Sequence, residues 1–252
     1  MNKRSLDAIF FRGEKIMLLS YLLPITMPKI IISIIGLIIG FSMPVVATLV
    51  NKYKLNKYDR EYDEDHEYKG YTSFVTAVLL FFLFYIAASI YEMPVLLIVM
   101  IMLMLAVIGT LVDMKIRLIP NELVLIILIL GITLRILTEG FAALKGSLIA
   151  LLLVVVIFGI TAGITYMIRG SAGVGAGDFK LMSVIAITLG MPGVVYFLIG
   201  MSIALVFYVI YGTITKKLTL GSAFPMCGPI MVGFVYALFY KLAPFMGNIG
   251  EL

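Results

Sequence analysis

The chain has 252 residues, 62% of them hydrophobic and only 13% charged, with a formal net charge of +5. Its mean hydropathy of +1.14 leaves too little polar surface for a soluble protein of this size. Apolar runs close to the ~20 residues that span a bilayer make it an all-α, polytopic helical membrane protein, and their continuity, without period-two alternation, excludes an outer-membrane barrel.

The excess of Lys and Arg fits the cationic bias of cytoplasmic loops. No basic stripe with interleaved aromatics occurs, so nucleic acid is not an expected partner, and the lipid bilayer is. Cys227 is the single cysteine, so neither an intrachain disulfide nor a cysteine metal site is expected.

In chain order, residues 1–29 fit the rest poorly. Ile16 to Met27 is apolar but short, contains Pro24 and is followed by Pro28. It reads as a re-entrant or interfacial piece, as a signal-peptide-like core without a small-residue cleavage site, or as sequence upstream of a start at Met17 or Met27. These readings stay open. About eight spans are expected, at 30–50, 72–90, 94–112, 122–137, 147–168, 179–190, 193–212 and 228–243. The first, with the charged loop 51–71, forms an amino-terminal segment, 1–71; the others form a multi-span core, 72–252. Within the loop, Asp59 to Glu67 is strongly acidic and includes His66, the only histidine. A solvated loop accounts for this cluster, because no fixed spacing of metal ligands is visible.

Loop charge sets the orientation. Lys52, Lys54, Lys57, Arg60, Lys69, Lys115, Arg117, Arg169, Lys180, Lys216 and Lys217 fall on one side; only Arg135, Lys145 and Lys241 fall on the other, the amino terminus aside. The first side is therefore expected to be cytoplasmic. Lys3, Arg4, Arg12, Lys15 and Lys29 run against this assignment.

Two acidic residues on that same side adjoin long apolar runs. Asp113 closes the run from Met93 to Val112, and Asp178 opens the run from Phe179 to Leu189. A carboxylate beside hydrocarbon is costly to keep charged, which makes each a functional candidate. Asp113 precedes Ile119-Pro120-Asn121, where Pro120 cannot continue a helix and Asn121 is expected to cap the next one. Taken alone, Asp113 also fits a plain helix-end residue beside Lys115 or Arg117. Asp178 follows alternating Gly173, Gly175 and Gly177, which remove side chains where a backbone has to come close. It is expected at a helix start, where the dipole favours its anion. The glycine spacing matches neither a dinucleotide fingerprint nor a phosphate loop.

Brought together, the pair has a chemistry of its own. Two close carboxylates share a proton, so one serves as general base on water while the protonated one polarises a peptide carbonyl. This needs no metal, nucleophilic serine or cofactor, and none is expected. The rival is a proton-coupled transporter in which Asp113 and Asp178 relay protons. Their placement at one face rather than the midplane, and the lack of an inverted repeat, disfavour it.

Gly175-Ala176-Gly177-Asp178, followed by Phe179-Lys180-Leu181-Met182, resembles the GxGD signature of type IV prepilin leader peptidases, a group with archaeal preflagellin peptidases among its relatives. Asp113, Lys115 and Ile119-Pro120-Asn121 are similar to the family's first-aspartate segment, and Phe224-Pro225 with Gly228-Pro229 to a looser motif of bacterial members. The resemblance runs from about Met93 to Tyr240. It implies an intramembrane aspartyl protease with Asp113 and Asp178 as the catalytic dyad. Gly175 and Gly177 shape the supporting loop, with Lys115 and Lys180 beside the two aspartates. It also implies a prepilin or pseudopilin substrate with a basic leader and a hydrophobic helix; by charge, Asp59 to Glu67 would attract such a leader, although a plain solvated loop accounts better for that cluster. Many bacterial members carry two CxxC pairs in the first cytoplasmic loop; residues 51–71 contain no cysteine. N-methylation of the product is therefore not expected.

Overall fold

The structure is a computed structural model and describes residues 26–59, 67–170, 175–215 and 225–240. The readings made for residues 1–25, for Arg60 to His66, for Gly173, for Lys216 and Lys217, and for Phe224 and Lys241 lie outside the described residues. Within them the protein is all-helical: α1 (Met27–Lys57), α2 (Gly70–Ile90), α3 (Val95–Ile116), α4 (Asn121–Glu139), α5 (Ala143–Arg169), α6 (Ala176–Ile214) and α7 (Cys227–Leu238). The first six are long and apolar enough to cross a membrane. It is a polytopic helical membrane protein.

The helices map onto the expected spans with instructive differences. α1 continues well past residue 50, so Lys52, Lys54 and Lys57 lie on its last turns rather than in a loop. Lys54 is in fact buried, 5% exposed, and pairs with Glu122 at the start of α4; Lys57 Nζ lies 4.0 Å from the other oxygen of Glu122. An ammonium taken out of water persists only with such a partner. The expected spans 179–190 and 193–212 are two parts of α6. Its 39 residues would run ~58 Å if straight, nearly twice the ~30 Å hydrocarbon layer. Helical geometry breaks at Gly190 (φ 61°, ψ −168°) and Met191, just before Pro192. α7 has 12 residues, too few on their own for the ~20 that a span needs.

Between membrane helices the hydrophobic effect gives little, so small residues and hydrogen bonds set the contacts. α1 packs chiefly on α2, where the Thr76 hydroxyl donates to the Gly40 carbonyl at 2.7 Å. α4 and the first part of α6 run side by side in the same direction. Gly177 meets Ile119 at one end, and Gly131 leaves the space that Thr188 fills midway. At the other end the Arg135 guanidinium lies against Gly190, 2.6 Å from where a Cβ would stand. Arg135 is itself buried, donating to Glu139 at 2.5 Å and to the Ala143 carbonyl at 3.2 Å. α3 and α7 are antiparallel. Asp113 meets Cys227 at one end, and Tyr91, just before α3, donates to the Leu238 carbonyl at the other. The site is assembled where α3, α4, α6 and α7 come together at the first of these ends.

Candidate active site

Asp113 lies one turn before the end of α3 and is 5% exposed. The helix runs on to Ile116 and stops at Arg117, whose backbone is left-handed (φ 52°, ψ 42°). The expectation that Asp113 closes its helix is thus displaced by one turn. The connection that follows is short, and Pro120, at φ −63° and ψ 128°, stands directly before α4. Asn121 does not cap α4 as expected. It is the first helical residue, and Pro120 takes the cap position without a side-chain bond, because the proline ring already holds the chain in the extended conformation that a helix entry requires.

The carboxylate of Asp113 is oriented by a distant element. Its Oδ2 accepts the backbone N–H of Cys227 at 2.9 Å. Cys227 is the first residue of α7, so this N–H is one that the helix leaves unpaired and that carries the positive end of its dipole. The contact bridges 114 residues of sequence. The Cys227 thiol is fully buried and lies within electrostatic reach of both Asp113 and Asp178.

Asp178 sits in the first turn of α6, after Gly175 at the cap position, and is half-buried. A Cβ on Gly175 would stand 2.7 Å from Asp178 Oδ2, well inside contact distance, so the missing side chain leaves room for the carboxylate. Gly177 plays a different part: a Cβ there would lie 3.6 Å from the Ile119 Cβ, in ordinary contact. The glycine loop therefore abuts the α3–α4 connection just beyond Asp113. The two carboxylates come close enough for the charge of one to act on the other.

The sequence reading missed Tyr68. Its hydroxyl donates to the Leu111 carbonyl, two residues before Asp113, and its ring lies under the Lys115 ammonium, 5.2 Å from Nζ to the centroid. Burial first, and then the neighbouring Asp113 carboxylate, push the Tyr68 hydroxyl above the ordinary tyrosine range. Tyr68 thus ties the segment before α2 to the turn that carries Asp113. The only signal for it was a tyrosine just past an acidic run, and the neighbourhood holds several. Of the basic residues expected beside the dyad, Lys115 is engaged with Tyr68, Arg117 lies within electrostatic range of Asp113, and Lys180 is an exposed side chain on α6. Among the described residues, no group of three or more His, Cys, Asp or Glu is arranged to hold a metal ion.

No curated protein and no solved structure matches the chain. A family comparison does match, over residues 97–210, a stretch that holds both aspartates, the glycine loop before Asp178 and the break in α6. That stretch, from α3 into α6, is similar to the type IV leader peptidase family.

Proposed function

We propose that the protein is an aspartyl endopeptidase of the membrane that removes the basic leader from prepilins or prepilin-like proteins at the cytoplasmic face. Asp113 and Asp178 are its catalytic pair. The observation that carries this reading is that Asp178, in the first turn of α6, stands at the end of the bundle where Gly177 abuts Ile119, in the α3–α4 connection just beyond Asp113. In the working state one is ionised and takes a proton from water; the other, protonated, donates to the oxygen of the scissile carbonyl as the water attacks. The Cys227 N–H fixes the oxygen of Asp113 that it touches and leaves the other to react. Gly175 and Gly177 keep the α6 entrance open and close to the α3–α4 connection. Lys115 and Lys180 add positive charge at that end, where Lys52, Lys57, Lys69 and Arg117 also lie. This concentration is what favours a cytoplasmic orientation. Without a cysteine tetrad in residues 51–71, cleavage is proposed without methylation, so the mature product should carry a free, unmodified amino terminus by mass spectrometry.

The decisive test is incubation of purified protein with a prepilin in detergent. Asp113→Asn and Asp178→Asn nearly preserve shape, so each variant should accumulate in membranes as the wild type does. Each should lose cleavage by orders of magnitude, with the double variant little worse than either single one, as for residues that act as a unit. Near-wild-type turnover in either folded variant would end the aspartyl-protease reading.

A further inference from the structure

A groove of about 1140 Å³ opens between α2, α3 and α7. Val75 and Leu79 of α2, Val107 and Leu111 of α3, and Val232 and Val235 of α7 give it apolar walls, while Tyr68, Lys115 and Glu67 gather at one end. Along α2 it extends from Tyr71 to Leu83, about 18 Å at the helical rise of ~1.5 Å per residue. Spread over that length, the volume gives a cross-section of roughly 60 Å², comparable to the ~80 Å² of a helix 10 Å across. The groove thus has the calibre of a single α-helix.

Its polar end lies at the level of Asp113 along α3, although neither aspartate lines the groove itself. Leu111 and Met114 both line it and flank Asp113 on the same helix, and Tyr68 at its mouth is bonded to the Leu111 carbonyl. A helix laid in the groove leaves the apolar walls at the level of Asp113. We infer that this groove is the docking cleft for the hydrophobic helix of the protein substrate, holding it so that the chain emerging at the cytoplasmic end passes the Asp113–Asp178 pair. The inference rests on the peptidase reading for the identity of the occupant. It goes beyond that reading in assigning α2 and α7, which lie outside the region matched to the family, as specificity elements. A lipid would fill the same walls and set its headgroup at Lys115 and Tyr68, so it is the helix-sized calibre that favours a helix as occupant, and lipid is one outcome of the test.

The test uses the full-length protein in nanodiscs and a prepilin amino-terminal segment comprising leader, cut site and hydrophobic helix. Photoreactive residues are placed at Leu79 or Val232, both exposed in the groove, or at Leu152, a more exposed position on α5, each in an Asp178→Asn background. Groove positions should form adducts with the substrate helix, and Leu152 should not. In the active protein, Leu79→Trp and Val232→Trp should lower cleavage at sub-saturating substrate roughly tenfold or more, as expected if one large apolar side chain is kept out. Leu152→Trp should cleave as the wild type does. Wild-type cleavage with adducts absent, confined to lipid, or equally strong from Leu152 would overturn the groove. Adducts from the groove with no cleavage by the wild type would instead overturn the peptidase reading and leave the groove as a helix-binding site.

Discussion

Asp113 lies inside a packed helix, 5% exposed, with a backbone N–H from α7 on one oxygen; Asp178 lies half-buried at the start of α6, facing a position where glycine leaves space. The first is held by contacts and the second is given room by a missing side chain. A carboxylate fixed by a buried charge-assisted bond tolerates little motion, whereas one in a glycine-lined entrance is free to adjust as a peptide arrives. The two members of the pair are therefore expected to fail in different ways. The less mobile one should respond to changes in its partners, and the other to changes in available volume.

Among changes that leave both aspartates in place, filling that volume should have the largest effect. In Gly175→Ala the new methyl would collide with Asp178 Oδ2, 2.7 Å away, while the backbone at φ −67° and ψ 136° accepts alanine without strain. Cleavage should fall about a hundredfold, the usual scale for a misplacement near 1 Å, with thermal stability unchanged. Gly177→Ala sharpens the contrast. Its methyl meets Ile119 at 3.6 Å and the position is helical, so activity should change by no more than about threefold and stability should rise by up to ~1 kcal/mol. Equal damage from both, measured as kcat/KM alongside a melting curve, would show that the glycines act through the loop backbone and not through room for the carboxylate.

Loosening the support of Asp113 comes next. Tyr68→Phe removes the bond to the Leu111 carbonyl but keeps the ring beneath Lys115. A single hydrogen bond of ~1 kcal/mol corresponds to at most about a fivefold loss of activity, with a matching drop in stability. A loss as deep as that of Asp113→Asn would place Tyr68 in the chemistry itself. The smallest effect on activity belongs to Cys227→Ala. The donor to Asp113 is the backbone N–H, which alanine retains, so cleavage should stay near wild type although a fully buried thiol is removed. Inactivity of this variant in a folded protein would mean that the thiol, not the N–H, supports the site.

Much of this arrangement was legible because membrane helices write themselves in composition. The apolar runs marked each helix, and Asp113 and Asp178 stood out because carboxylates beside such runs are rare. Pro192 and Gly190 marked the division of α6 into the two expected stretches, 179–190 and 193–212, which the non-helical backbone at Gly190 and Met191 separates. Lys54 was read as a loop cation because local sequence does not reveal that Glu122, 68 residues on, waits to pair with it. The donor on Asp113 was hidden for a different reason. Any residue but proline has an N–H, so the identity of Cys227 carries no trace of its role; only the helix start near Gly228-Pro229 pointed there. Tyr68 escaped because its value depends on reaching α3 across space, which no periodicity encodes.

The bond between Asp113 and the entrance of α7 has a consequence for biosynthesis. A ribosome that has delivered α1 through α6 has already made both aspartates, yet the N–H that aims one of them is still to come. The pair is completed only when the last described helix takes its place beside α3. On the proposed peptidase reading, order of synthesis thus acts as a safety catch: a nascent chain that has not yet reached α7 holds both carboxylates without the donor that orients one of them.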